Sequence, residues 1–285
     1  MTKIFYCFDL FDEIKKEVKQ EVDDFVKFNK RSPTLAVIKI GDDKASEIYV
    51  KRKQKACEEV GILMRLFTLD HFVEELVETL IKQLNEDYDS VFIQLPIPGC
   101  ETNKCFKLLN LINIDKDVDG FCVDNMGLLN YKIEKFVPCA PLAVQYIIQN
   151  ENIPIIGKHV VIINDTIVVG RPLASLLLNM GATVTICNDK TENLKDIVMM
   201  GDIIVTAVGR RDKFTLNFCK KNAVIFDVGI SKIEDKVVGD VDLKEVDGIA
   251  SMVTAVPGGI GILTMGMLLK NVVLAARLNS GFGQA

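Results

Sequence analysis

Short apolar runs alternate with helix-period segments along almost the whole chain, and this alternation restricts the fold more than any other feature. A strand that is apolar throughout is buried on both faces, and helices between such strands supply the cover. The pattern therefore predicts α/β architecture with largely parallel sheets. Ile14, Val18, Val22 and Phe25 space one helix. LAVIKIG (35–41) reads as a strand, Ala45 to Val60 as a helix closed by Gly61, LMRLFTL (63–69) as a strand, His71 to Leu84 as a helix and SVFIQLP (90–96) as a strand. A second series begins after FVPCAP (136–141), with strands predicted over 159–163, 183–187, 203–208 and 223–228 and helices between them. The last periodic segment, Leu263 to Leu278, is apolar on too many sides to lie free. It is expected to pack back across the first domain.

A chain of 285 residues is long enough for two such domains without a disulfide scaffold. Its eight cysteines are scattered, with no C-x-x-C pair, and only His71 and His159 could join them as metal ligands. They read as reduced thiols of a cytoplasmic protein with no metal site. A net charge of −5 offers no electrostatic case for nucleic acid. The basic run KRKQK (51–55) is a solvated helix face with one or two functional members. The opening MTKIFYCFDLFDEIKKE carries acids inside any apolar core and does not read as a signal peptide. No window is expected to approach the ~18 apolar residues of a membrane span.

Three stretches carry candidate chemistry. Tyr49 and Lys53, four apart on one helix with Ser46 a turn earlier, present an aromatic ring beside an amine, which suits a flat, anionic ligand. In QLPIPG (94–99) two prolines stop the strand and leave Gln94 at its carboxyl end, where open α/β sheets place their ligands. DKDVDGF (115–121) puts three acids on a tight turn without the further oxygen ligands of a calcium loop. Asp119 and Gly120 there read as a turn with one carboxylate aimed inward. The stretch IINDTIVVGRPLASLLLNMGATVTICND (162–189) has the strand, turn, helix and strand of a dinucleotide-binding unit but lacks most of its glycines. Its turn reads Asn164, Asp165, Thr166 and only then Gly170.

Taken in order, ASEIYVKRKQKACEEVGI, QLPIPG, DKDVDGF, VPCAP, IVVGRPLASLLL, ATVTIC, DVGIS and VPGGIGILTMGML resemble the methylenetetrahydrofolate dehydrogenase/cyclohydrolases from about residue 45 to 268. The sequence departs from the family pattern where Asn164-Asp165-Thr166 replaces Gly-Arg-Ser and Asn188-Asp189 replaces His-Ser. Lesser departures are Ala140 for Thr, Ala143 for Gly, Ser231 for Asn, Ala255 for Pro and Ile262-Leu263 for Pro-Met.

The resemblance implies two α/β domains with an active-site cleft between them. Residues 1–139, with 263–285 packed back, would be a catalytic folate-binding domain, and 140–262 a Rossmann-like nicotinamide-dinucleotide domain. It implies oxidation of 5,10-methylenetetrahydrofolate to the methenyl form with NAD or NADP, then hydrolysis to 10-formyltetrahydrofolate, by a homodimer. By the same resemblance Lys53, Gln94 and Asp119 are the catalytic candidates, and Tyr49 stacks on the substrate. Ile93, Leu95, the loop Pro257, Gly258, Gly259, Ile260 and Gly261, and the Thr264 hydroxyl complete the substrate contacts. Asn164, Asp165, Thr166, Gly170, Arg171, Asp189, Val208, Gly209 and Ile230 would face the dinucleotide.

In the family's NADP users, the arginine and serine of the departed motifs face the 2′-phosphate. Here both positions are aspartates, which favours NAD, with NADP as the alternative. Asp189 also lies 19 positions beyond Gly170, where NAD-binding units keep an acid for the ribose 2′-OH. Two other readings stand beside the bifunctional one: a cyclohydrolase whose second domain has lost its dinucleotide, suggested by the altered turn, and a non-catalytic folate-binding relative.

Overall fold

The structure is a computed structural model that describes residues 1–234 and 236–281. The chain opens with β1 (Lys3–Phe5), α1 (Phe8–Asn29), β2 (Thr34–Ile40), α2 (Lys44–Val60), β3 (Leu63–Leu69), α3 (Glu74–Asp87) and β4 (Ser90–Ile93). Helices α4 (Thr102–Leu109), α5 (Val123–Asn130) and α6 (Cys139–Asn150) lead to β5 (His159–Ile163), α7 (Gly170–Asn179), β6 (Thr183–Cys187), α8 (Leu194–Met200) and β7 (Ile203–Thr206). The chain continues through β8 (Val224–Asp227), β9 (Ser231–Ile233), β10 (Lys236–Val238), α9 (Leu243–Val246), β11 (Met252–Thr254) and α10 (Ile260–Ser280).

These elements form two compact units. One holds Asp12–Leu128, Glu134–Val137 and the chain from Met265; the other holds Met1–Phe11, Leu129–Ile133 and Pro138–Thr264.

In the first unit the sheet runs β3-β2-β4 and all its pairs are parallel. Alternate residues of each strand face opposite sides. Ala36, Ile38 and Ile40 of β2 with Val91 and Ile93 of β4 pack against Val77, Ile81 and Leu84 of α3 and Leu108 of α4. Helix α2 begins on a side-chain cap, the Asp43 carboxylate accepting from Ser46 N–H, and ends as expected on a left-handed Gly61 (φ 86°). Helix α3 starts at Glu74, three residues later than the apolar spacing predicts. Strand β4 ends at Ile93 instead of reaching residue 96. Helix α10 is held in this unit by Asn271, whose Nδ2 donates to the Val118 carbonyl at 2.8 Å.

One sequence expectation is corrected here. Among the described residues α10 is long and apolar enough to cross a membrane, with a mean hydropathy of 1.5. Of its apolar 18-residue window 67% is buried inside the protein, as in a core helix of that composition.

In the second unit a six-stranded parallel sheet runs β1-β11-β8-β7-β5-β6. The connection from β5 goes outward to β6, and the chain then returns past β5 to β7 and on to β8. The sheet therefore reverses winding between β5 and β7, and this reversal places the ligand crevice of a doubly wound sheet at the carboxyl ends of those two strands. Strand β1 was not anticipated. It takes the sheet edge beside β11, in register Lys3 with Met252, and Thr2 fastens it by donating from Oγ1 to the Ala250 carbonyl at 2.8 Å. Strands β9 and β10 form a separate antiparallel hairpin. The eight cysteines form no disulfide and six are buried. Among the described residues no three His, Cys, Asp or Glu side chains gather as a metal site.

Candidate functional site

In the first unit, helical spacing carries Tyr49 and Lys53 to the same side of α2, and strand alternation carries Phe92 and Gln94 to the face of β4 opposite Ile93. Lys53 is buried, donates from Nζ to Gln94 Oε1 at 2.7 Å and lies 3.5 Å from the centroid of the Phe92 ring. Gln94 Nε2 donates to the Leu95 carbonyl at 2.8 Å, which fixes the amide with its oxygen toward the lysine. Gln94 is itself held on the sheet, its N–H donating to the Ile38 carbonyl. A buried amine over an aromatic face, hydrogen-bonded to an oriented amide, is equipped to hold and move a proton.

Sequence reasoning missed Phe92, although its place two residues before Gln94 was a readable signal. It also missed Lys39, a lysine inside an otherwise apolar strand. That side chain is buried and donates to the Gly41 carbonyl at 2.5 Å, with Glu47 3.9 Å away. It thereby ties the turn that starts α2 to the strand beneath.

The other candidates of this unit are placed differently. Ser46 is spent on capping α2, its hydroxyl donating to Asp43 at 2.7 Å. The Ile93 side chain lies in the apolar core and Leu95 packs against it, so Ile93 can offer a ligand only its main chain. In the acidic turn the Asp117 carboxylate is buried. Asp117 accepts from the N–H groups of Gly120 and Cys122 and from Asn125 Nδ2. Asp119 stays half-buried.

In the second unit the turn after β5 is organised by one side chain. Asn164 Oδ1 accepts from Thr166 N–H at 2.9 Å, Thr166 Oγ1 at 2.8 Å and Gly170 N–H at 2.9 Å, while its Nδ2 donates to the Ala207 carbonyl at 2.8 Å. Gly170 is required here, since a Cβ on it would lie 1.9 Å from the Asn164 carbonyl oxygen. Asp165 accepts from Asn188 Nδ2 at 3.1 Å, and its main-chain carbonyl accepts from Arg171 Nε at 2.8 Å. Asp189 follows Asn188 at the exit of β6 and is exposed.

The turns after β7 and β8 meet, because Gly209 approaches the Ile230 carbonyl so closely that a Cβ there would sit 3.3 Å away. Both are held by buried carboxylates absent from the sequence reading. Asp240 accepts from Val208 N–H at 2.7 Å and Gly209 N–H at 3.0 Å. Asp227 accepts from Gly229, Asp240 and Val241 N–H groups at 2.9 to 3.1 Å.

Burial pushes the Asp227 carboxyl up from 3.8 to about 7, with the charge of Asp240 adding to the effect and the main-chain donors opposing it. Because this value is raised, the folded chain holds a proton that the unfolded chain has lost. The resulting stabilisation is complete below pH 3.8 and disappears as pH rises through about 7. At about 1.4 kcal/mol per pH unit it amounts to a few kcal/mol. Melting temperatures between pH 5 and 8 should show Asp227→Asn flattening the decline of the parent protein; identical slopes would assign the proton elsewhere.

The loop Pro257 to Gly261 also belongs to this unit. Pro257 and Gly261 are exposed, whereas Gly258, Gly259 and Ile260 are buried. A Cβ on Gly258 (φ 106°) would lie 3.0 Å from the rings of both Tyr6 and Phe8. The glycine thus serves a close approach within the chain. Thr264 Oγ1 donates back to the Gly261 carbonyl at 3.0 Å.

A doubly wound parallel sheet with its turns gathered at the switch point, in a chain whose other α/β unit carries a buried lysine–glutamine pair, defines a two-unit protein of the dinucleotide-binding class. Residues 7–119 match the tetrahydrofolate dehydrogenase/cyclohydrolase catalytic domain, and residues 138–280 match the NAD(P)-binding domain of the same proteins. The chain belongs to the tetrahydrofolate dehydrogenase/cyclohydrolase family.

It is 43% identical over 278 residues to the bifunctional protein FolD of Caldicellulosiruptor saccharolyticus, covering 94% of this chain and 98% of the relative. The FolD methylenetetrahydrofolate dehydrogenase/cyclohydrolase of Campylobacter jejuni superposes with a TM-score of 0.91 at 37% identity, over 98% of this chain and all of the other. The Trypanosoma brucei enzyme, solved with NADP and an inhibitor, gives 0.92 at 30% identity over 98% of each chain.

Proposed function

We propose that the chain oxidises 5,10-methylenetetrahydrofolate to 5,10-methenyltetrahydrofolate with NAD preferred over NADP, and hydrolyses the methenyl form to 10-formyltetrahydrofolate. It would do so in the cytoplasm, as a homodimer. The folate would stack on Tyr49 beside Lys53 and Gln94, with Asp119 on its pterin edge. Hydride transfer needs placement more than acid or base groups, since the neighbouring nitrogen stabilises the cation left on carbon. Hydrolysis needs a proton taken from water and later delivered to a ring nitrogen. Lys53, oriented by Gln94, is the group for both transfers. Tyr49→Ala should raise the KM for folate with a smaller change in kcat. If neither constant moves, the stacking role fails.

In this reading Thr166 and Gly170 serve the pyrophosphate once Asn164 releases them, Asp189 accepts from a ribose hydroxyl, and Val208, Gly209 and Ile230 lie beyond. When bound, the nicotinamide supplies the hydride acceptor. The observation that carries the choice of NAD is the pair of acids leaving adjacent strands, with Asp165 tied to Asn188 and Asp189 following directly. A carboxylate ~4 Å from one phosphate charge costs up to ~4 kcal/mol at an effective dielectric near 20, and less when exposed. At ~1.4 kcal/mol per factor of ten, a ten- to thousand-fold preference for NAD follows. Comparing kcat/KM with each cofactor tests it. Preference for NADP would overturn the charge argument, and activity with neither would leave the cyclohydrolase alone.

A further inference from the structure

We infer that the Asn164 amide occupies the pyrophosphate seat of this protein, so that a dinucleotide binds only by displacing it. This rests on the reading that the second unit takes a nicotinamide dinucleotide. Asn164 leaves β5 and bonds to Ala207 at the exit of β7, so its side chain bridges the two turns flanking the point where the winding reverses. That crevice is where doubly wound sheets receive ligands. The residue before α7, Val169, provides no side-chain cap. The cap comes instead from Asn164, six residues before the helix start, whose single oxygen gathers two main-chain N–H groups and a hydroxyl within 2.9 Å.

The first N–H of a helix, converging with an N–H and a hydroxyl of the preceding turn on one oxygen, forms an arrangement that suits a phosphate oxygen. An N–H aimed at Oδ1 cannot serve a phosphate at the same time. The glycine that the family carries at this position has no side chain to compete, and asparagine therefore lowers the affinity for either dinucleotide. Binding then releases the Asn164 amide and, with it, the bond to Ala207.

Calorimetric titration of NAD and of NADP into the full chain tests this without measuring turnover. Asn164→Ala, which removes the competing oxygen without loosening the backbone, should bind both about tenfold more tightly and by a similar factor. Asn164→Asp keeps the acceptor and adds a charge, and should bind both more weakly than the parent. Asn164→Gly takes the place of the alanine variant if that one melts without cooperativity. Equal or weaker binding by a folded Ala or Gly variant overturns the inference, including the case where neither parent nor variant binds. The preference of the parent between NAD and NADP is a separate readout, because the pyrophosphate is common to both, so failure of the charge argument leaves this factor unchanged.

Discussion

Replacing Lys53 by methionine is expected to lower hydrolysis of methenyltetrahydrofolate by ~10²-fold or more, the scale for losing a positioned proton-transfer group. Methionine reproduces the lysine stem as far as Cε and removes the Nζ that lies over Phe92 and donates to Gln94, so the change is confined to the polar end. A cooperative thermal transition should survive, since one hydrogen bond at this position is worth ~1 kcal/mol. The decay of preformed methenyl substrate, followed in the ultraviolet, provides the measurement. A rate near that of the parent would remove Lys53 from the reaction.

The second large effect lies in the other unit. Asp165→Arg together with Asp189→Ser is expected to carry the preference from NAD across to NADP, changing the ratio of the two kcat/KM values by ~10² or more. Asp165 can be exchanged without unmaking the turn. Arg171 is held by the main-chain carbonyl of residue 165, and the Asn164 network does not involve the Asp165 side chain. Only the bond from Asn188 is lost. Hydrolysis, proposed to depend on Lys53 and Gln94, should stay at the parent rate and so separates a change of cofactor from a loss of fold. A double variant that still prefers NAD would mean that neither acid faces the 2′ position.

What could be read beforehand was local. Strand β3 occupies residues 63–69, β5 residues 159–163 and β6 residues 183–187, as the apolar runs indicate, because each run is bounded by residues that cannot continue it. Tyr49, Lys53 and Gln94 were singled out by helical spacing and by the prolines that end a strand, their roles only by the family resemblance, and Lys53 and Gln94 do meet in a hydrogen bond. What escaped depends on partners distant in sequence. Three residues at 3–5 carry no strand signal of their own and become β1 only beside β11. Asp117 and Asp119 are indistinguishable as letters, and only the direction of the turn decides which carboxylate faces its amides. Asn164 could be seen to replace a glycine. That its side chain would gather the donors of the turn depended on where β7 ends. The buried pair Asp227 and Asp240 left no pattern, since each is satisfied by main-chain groups from another segment.

The pairing of β1 with β11 also sets an order of assembly. During synthesis residues 3–5 leave the ribosome long before the strand they pair with, Met252–Thr254. The edge of the larger sheet is therefore unfinished until β11 has been made, and the early segment waits through the folding of everything between. A fragment cut to residues 138–281 would contain five of the six strands and end in an open edge at β11. Such an edge is a template for foreign chains. The unit is continuous in space and discontinuous in sequence, so it can be isolated only with its first strand supplied, either as a peptide or by circular permutation.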